Sequence, residues 1–393
     1  MAEQRENFEI DLPNVELQDY ETLHEFAKAA KTKLDQNSWD YLFGAAYTET
    51  TCRRNRQALD STAFRPRVLR DVEHVDASAQ FLGQKLRLPV VLAPIGSMQD
   101  FDVEAGAGPT KAAAEFGCLH MLSSVCAPGL EDVAAAAPEH PKIFQLYVRG
   151  DANFVDDHVK RAMDKGYIAF AFTVDLDYYS KRERDLAKRY VTTGRRLAGY
   201  NEDHQMRFSW DDVKRVQDKF DIPIILKGIA TAEDAHACVE NGIDVIYVSN
   251  HGGRQLDHGR GGLDVLSEVV TAADGKAKVM LDGGIMRGTD LVKAMALGAE
   301  GMNMGTRFIA TKEAPVHENV KQAILNASEL DTRLVMRPLR NTERVLTNPA
   351  VERLLEKEKA MGSDLKFDDI VGEVAGVYPK VMTEGDMDVG AWS

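Results

Sequence analysis

Short apolar runs and amphipathic stretches alternate along most of this chain. Eight runs read as strands: 89–93, 118–123, 142–147, 168–174, 223–228, 244–250, 278–284 and 301–306. They are apolar at consecutive rather than alternate positions, as in strands buried on both faces. Between them lie stretches long enough for helices and apolar on one side: 103–116, 129–137, 152–165, 210–219, 231–241, 261–273 and 288–297. This alternation predicts an α/β chain closed into a (β/α)8 TIM barrel. A doubly wound open sheet is the competing arrangement. It wants a glycine-rich fingerprint after the first strand, and Ala93-Pro-Ile-Gly96 is not one.

The flanks read differently. Residues 1–16 are polar and loosely held, and Leu23, Phe26, Ala27, Ala30 and Leu34 then recur at helical spacing. Residues 53–64 continue in that style. We therefore expect an N-terminal helical segment over 1–75 packed on a barrel of 76–310, with a helical C-terminal extension over 311–393. That extension is helix-like at 314–328 and 348–361. The longest connection, 176–222, has the length of an active-site cover.

Composition narrows the partners. A net charge of −14 argues against nucleic acid or an anionic membrane surface. No apolar run approaches the roughly 20 residues of a membrane span, and the polar N-terminus lacks a signal-peptide core. Cys52, Cys118, Cys126 and Cys238 show no metal-ligand spacing, so they read as small core hydrophobes in a reducing cytoplasm.

In a closed barrel the C-terminal strand ends share one face, and that face carries the site. Here those ends are polar although the strands are apolar. They hold Pro94-Ile95-Gly96, Ser123, Gln145 with Tyr147, Thr173 with Asp175, Lys227, Ser249 with His251, Asp282-Gly283-Gly284, and Gly305-Thr306. So many polar groups on one face are hard to explain by packing. His251 and Arg254 stand in Val248-Ser-Asn-His-Gly-Gly-Arg-Gln-Leu-Asp257, a strand-to-loop junction with two glycines. An imidazole can take a proton near neutral pH, and a guanidinium grips a carboxylate with two parallel hydrogen bonds. Gln, Thr and Ser suit the edge of a heteroaromatic ring, and Lys227 can neutralise charge growing on it. The glycines after the seventh and eighth strands, with Arg287, form a phosphate seat of the kind barrels place there. Flavin mononucleotide (FMN) has this shape: a ring, a hydroxylated chain that Asp282 can hold, and a phosphate.

The same stretches resemble a known family. VSNHGGRQLD, with APIG, LSS, FQLYV, TVD, KRERD, LKGIATAED and LDGG, is similar over about residues 20–306 to the FMN-dependent α-hydroxy-acid oxidases and dehydrogenases. Glycolate oxidase, lactate oxidase and mandelate dehydrogenase belong to that family. The resemblance implies an FMN barrel that oxidises an L-2-hydroxy acid to a 2-keto acid. It implies His251 as the base, oriented by Asp175, and Arg182 and Arg254 as clamps on the substrate carboxylate. It implies Tyr41 and Tyr147 as hydrogen-bonding partners of substrate, and Lys227 at the flavin N1 edge. Ser123, Gln145 and Thr173 are implied at the ring, with Ser249 nearby. The partners it implies are a small 2-hydroxy acid and oxygen or another electron acceptor, in a homo-oligomer (a tetramer or octamer).

Some positions depart from the family pattern. Met286 stands where the family usually has a phosphate-side Arg, with Arg287 one step later. Thr306 replaces a second one, with Arg307 one step later. Gly96 and Val125 stand where glycolate oxidase has alanine and tryptophan, and Tyr179 can line the same pocket, so we expect a side chain larger than that of glycolate, aryl or branched. The stretch 300–393, with Gly301-Met-Asn-Met-Gly-Thr306 and Gly385-Asp-Met-Asp-Val-Gly390, resembles nitronate monooxygenases, another FMN barrel family. A nitronate-oxidising flavoenzyme and a non-catalytic flavin or carboxylate binder are therefore the alternatives. Neither calls for a His251–Asp175 pair beside two arginines.

Overall fold

A computed structural model describes residues 22–71, 73–198, 203–304, 332–336, 338, 343–346 and 348–374. These residues fall into two compact units, one within 22–310 and the other within 311–393. The helices Leu23–Lys33 (α1), Gln36–Phe43 (α2) and Thr50–Ser61 (α3) belong to the first unit, together with the barrel strands.

A small antiparallel hairpin, β1 (Ala79–Phe81) and β2 (Gln84–Leu86), precedes the barrel. Eight parallel strands then close on themselves: β3 (Val90–Leu92), β4 (Leu119–Ser123), β5 (Lys142–Leu146), β6 (Tyr167–Thr173), β7 (Ile224–Ile229), β8 (Val245–Val248), β9 (Lys278–Leu281) and β10 (Gly301–Met304). Closure comes from β10 pairing with both β3 and β9. Each expected strand is present among the described residues, with bounds within a few residues of those expected.

The consecutive apolar runs have a simple cause. Alternate residues point to two different cores. Val91, Leu119, Met121, Ile143, Ala169, Ala171, Ile225, Val245, Tyr247 and Met280 form one cluster with Phe81 and Leu86 of the hairpin. Their neighbours Val90, Leu92, Leu122, Phe144, Phe170, Phe172, Ile224, Leu226, Ile246 and Val248 pack with the helices. Truncating an interior residue such as Leu119 to Ala would cost about 2–5 kcal/mol.

The helices between strands lie where the amphipathic stretches placed them, from α4 (Ala107–Phe116) to α13 (Gly288–Ala296). Their starts carry side-chain caps: Asp151 accepts from Asn153 N and Phe154 N, and Thr231 accepts from Asp234 N. The long β6–β7 connection is not structureless. It holds four helices: Glu183–Lys188 (α7), Thr193–Ala198 (α8), Asp203–Arg207 (α9) and Trp210–Lys219 (α10). Gln205 pins it down, accepting from Val148 N at 2.8 Å and donating to Thr173 O at 3.0 Å.

In the second unit, β11 (Thr332–Val335) pairs antiparallel with β12 (Glu343–Leu346), and α14 (Pro349–Met361) follows. Val335, Met336, Val351, Leu354, Leu365 and Ile370 are its core. The helix expected at 348–361 is this one. The helix expected at 314–328 lies outside the described residues.

Candidate active site

The loop after β8 is held from two sides. His251 sits in the left-handed region at φ +58°, a conformation that costs a non-glycine residue about 1–3 kcal/mol. Its backbone N donates to Ser249 Oγ at 3.0 Å. Asn250 forms a reciprocal amide pair with Asn55 of α3, at 2.9 and 2.7 Å, and accepts from Gly253 N. Gly253 has φ +75°, and a Cβ there would lie 2.3 Å from Cys52 N, so only glycine lets loop and helix meet. Asp257 closes the arrangement. Its buried carboxylate accepts from Thr48 N, Thr48 Oγ1 and Thr51 N at 3.0, 2.8 and 2.8 Å. These bonds hold the Asp257 carboxyl well below the usual carboxylate range although burial opposes them. Asn55 lines the cavity described below and Asp257 does not. They fix where His251 and Arg254 stand.

His251 lies between two partners. Its Nδ1 is 3.2 Å from Asp175 Oδ1, and its Nε2 is 3.2 Å from Tyr147 OH. Burial would raise the Asp175 carboxyl, but the charges of His251 and Lys227 outweigh it and keep it low. An ionised carboxylate only accepts, so Nδ1–H donates to Asp175 and Nε2 is left to accept from the Tyr147 hydroxyl. Burial lowers the His251 pKa, helped by Lys227 and opposed by Asp175. The imidazole is therefore neutral at pH 7, the form a base requires. Gly228, at φ +122°, makes room for Asp175: a Cβ there would lie 2.6 Å from Asp175 Cβ.

The two arginines meet beside this pair. Arg254 donates to the carbonyls of Gly44 and Leu42 at 2.6 and 3.2 Å, and Arg182 Nε donates to Arg254 O at 3.3 Å. Both guanidiniums stand over the Tyr41 ring, at 5.6 Å for Arg182 and 4.9 Å for Arg254. Burial would raise the Tyr41 phenol, but the two arginines pull it below its usual value. Arg182 is 5% exposed, and its Nη1 has no hydrogen-bond partner among the described residues. Such a buried donor calls for an anion from outside the protein.

A cavity of about 750 Å³ runs from this cluster across the barrel mouth. Tyr41, Pro94, Ile95, Gly96, Tyr147, Arg182, Lys227, His251, Arg254, Asp282, Gly283, Gly284, Met286 and Arg287 line it. Ser123, Gln145, Thr173 and Ser249 do not; they are buried. Ser249 Oγ accepts from Lys227 Nζ at 2.9 Å, and Gln145 Nε2 donates to Thr173 Oγ1 at 2.8 Å. Asp175 does not line it either, and it hydrogen-bonds His251, which does. Gly305 and Thr306 lie outside the described residues.

Tyr247 and Asn303 are site residues that the sequence reading missed. Tyr247 OH donates to Asp282 Oδ2 at 2.8 Å, and Asn303 Nδ2 donates to Tyr247 OH. Lys227 Nζ lies 3.6 Å from Asp282 Oδ2. Tyr247 reads as one more apolar strand residue, and only its register, facing into the barrel, brings its hydroxyl under Asp282. The signal available was a phenol and an amide inside otherwise aliphatic strands.

The polar atoms left over fit FMN. Gln145 Oε1, Asp282 Oδ1 and Asn303 Oδ1 are buried without hydrogen-bond partners among the described residues. Those of Asp282 and Asn303, whose residues line the cavity, can receive the donors of a flavin ring edge and the hydroxyls of its chain. Gly283 and Gly284, at φ +99° and +78°, keep side chains out of the far end. There the structure differs from the simple phosphate seat. Asp290, buried at the start of α13, accepts from Met286 N and Arg287 N at 2.9 and 3.1 Å and pairs with Arg56 at 2.7 Å. The two backbone donors are thus capped by a carboxylate. The Arg287 side chain is at the exposed rim, its Nη2 3.3 Å from His24 Nε2.

Comparison with known proteins agrees with this geometry. A profile of the FMN-dependent dehydrogenase family matches residues 30–345. Glycolate oxidase 1 of Oryza sativa subsp. indica is 37% identical over 321 residues, covering 76% of this chain and 87% of its own. L-lactate oxidase of Nostoc sp. is 37% identical over 308 residues, covering 72% and 84%. A crystal structure of mandelate oxidase superposes with a TM-score of 0.69 at 34% identity, covering 78% of this chain and 91% of that one. The chain belongs to the FMN-dependent dehydrogenase family, and its cofactor is FMN.

Proposed function

We propose that this protein oxidises an L-2-hydroxy acid to the 2-keto acid, with His251 as the base. The observation that carries this reading is the position of His251 Nε2. It is the acceptor nitrogen of the imidazole, 3.2 Å from Tyr147 OH, in a cavity that Arg182 and Arg254 also line. Arg182 and Arg254 hold the substrate carboxylate, and Tyr41 between them hydrogen-bonds it. The hydroxyl at C2 then faces Tyr147 and His251. Bound FMN supplies the two-electron acceptor. His251 Nε2 takes one proton from substrate, and Asp175 stabilises the imidazolium that results. Lys227, with Ser249, supports the ring edge that gains negative charge, and Ser123, Gln145 and Thr173 hold the ring from behind. Pro94, Ile95 and Gly96 line the cavity at the β3 end. Asp282 takes the hydroxylated chain. Gly283, Gly284, Met286 and Arg287 surround the phosphate, with Gly305 and Thr306 as further expected contacts.

Oxygen is the acceptor we favour, since the similar proteins are named as oxidases. The test is anaerobic mixing of the yellow protein with L-lactate, L-mandelate and glycolate. Bleaching of the flavin, followed by return of colour in air with keto acid formed, is the expected outcome. A flavin that stays oxidised with all three and is reduced by propionate-3-nitronate would sink the reading.

A further inference from the structure

The barrel carries two polar side chains for which the proton transfer proposed above has no use. Tyr247, in β8, is buried and packs with Val91, Met121, Ile225 and Met280. Asn303, in β10, is buried too and lines the cavity. β9 lies between these two strands, and Asp282 directly follows it. Three neighbouring strands thus bring a phenol, an amide and a carboxylate into one sector of the barrel. A buried amide or phenol costs free energy unless its polar atoms find partners, so those partners indicate what the pair is for.

Hydrogen-bond roles fix which way the Asn303 amide is turned. Tyr247 OH lies 2.8 Å from Asp282 Oδ2, an oxygen that Lys227 Nζ also approaches at 3.6 Å. A carboxylate only accepts, so the phenol commits its single proton to Asp282. Burial and the Asp282 charge push the Tyr247 pKa well up, which keeps that proton in place. The phenol oxygen is then left as an acceptor. The amide group facing it is therefore the NH2 of Asn303, which donates to it. Asn303 Oδ1 is the other end of the same amide. It is buried and has no hydrogen-bond partner among the described residues. Asp282 fixes the phenol, the phenol fixes the amide, and the amide presents one bare acceptor of defined direction.

A buried acceptor of fixed direction selects a ligand that brings it a donor, because the same site is left unpaired by a ligand without one. FMN has such donors in the hydroxyls of its chain and in the N3–H of its ring. We propose that Asn303 Oδ1 is a cofactor-binding atom that accepts from a hydroxyl of the FMN chain, and that Tyr247 is a positioning residue that turns the amide toward it. The choice of a chain hydroxyl rests on the chain lying at Asp282, as proposed above, since Tyr247 ties Asp282 and Asn303 together. It does not depend on which substrate is oxidised.

The test is fluorescence titration of the full-length apoprotein with FMN, its 2′-, 3′- and 4′-deoxy analogues and N3-methyl-FMN, and it needs no turnover. With the wild type, at least one deoxy analogue should bind about tenfold more weakly than FMN. Asn303→Leu should bind FMN about tenfold more weakly and treat that analogue and FMN alike, within about twofold, because the lost hydroxyl no longer has an acceptor to miss. Tyr247→Phe should cut the same discrimination about threefold, since the amide is then free to turn. Adding Asn303→Leu to Tyr247→Phe should cost less than Asn303→Leu costs alone. Unchanged FMN affinity in Asn303→Leu, or full discrimination retained there, would overturn the proposal. Strictly additive effects of the two substitutions would overturn the positioning role of Tyr247. A penalty on N3-methyl-FMN that vanishes in Asn303→Leu would move the acceptor to the ring and overturn the chain assignment. Equal binding of FMN and all three deoxy analogues by the wild type would instead remove the placement of the chain at Asp282, a result that needs no variant and so does not hinge on folding.

Discussion

The two ends of one cavity are built by different means. At the end we propose for the substrate, His251, Asp175, Tyr147, Tyr41, Arg182 and Arg254 meet through side-chain atoms at defined distances, and Asn55 and Asp257 brace the loop that carries two of them. At the end we propose for the phosphate, two glycines open space, Asp290 caps the backbone donors, and Arg287 sits at the exposed rim. The lesson is about tolerance. A proton transfer requires one atom in one place. An exposed phosphate can be met by any nearby cation, since charge attraction falls off slowly with distance. His251 and Arg254 keep the family pattern, while Met286 and Thr306, like Gly96 and Val125, depart from it.

Substitutions can break that contrast. The largest effect is expected for His251→Ala: flavin retained, and its anaerobic reduction slowed about a thousandfold or more in stopped-flow. An alanine variant reduced at near wild-type speed would remove the histidine from the chemistry. Next is Asp175→Asn, with reduction slowed about a hundredfold. Its pH profile adds a sign. Burial lowers His251, so the acid limb of kcat/KM in the wild type should lie below the ordinary histidine value near 6.5. Asp175 raises the imidazole pKa, so its loss should move that limb lower still, and a limb moving upward would contradict the pairing.

The middle of the cavity should respond less. Tyr247→Phe removes a hydrogen bond to the Asp282 carboxylate, worth about 1.5–3 kcal/mol at a charged acceptor. FMN should dissociate about tenfold more readily in fluorescence titration, with a shifted flavin reduction potential. An unchanged affinity and potential would mean that Asp282 does not need the phenol. The smallest effect is expected for Arg287→Ala, a loss in FMN affinity of about threefold or less, shrinking further as salt is raised. A loss of a hundredfold there would mean that the two ends are equally exacting.

Much of this was legible along the chain. The runs over 118–123 and 244–250 declared a parallel sheet because both faces of β4 and β8 are buried, and strict alternation could not have said so. The strand ends stood out because His251, Lys227 and Asp282 are polar where apolar residues had run unbroken. Tyr247 and Asn303 were hidden for the converse reason: a phenol inside a strand looks like core until its hydroxyl is seen to face Asp282. Asn55 and Asp257 were hidden because their partners lie about 200 residues away in the chain. Arg149 and Arg195 also line the cavity, one from the turn after β5 and one from α8, and no spacing rule brings them to one wall.

The sequence by itself determined the strand and helix order, the closed barrel and the cofactor, and it named the side chains that we propose take part in the reaction. Those follow from local periodicity and from residue chemistry at strand ends, both of which are written in neighbouring positions. Only the tertiary structure decided which polar groups face the cavity and which stand behind it, which backbone donors Asp290 caps, and how many guanidiniums share the substrate end. Each of those is a distance between residues far apart in the chain, set by strand register and loop packing rather than by any short stretch.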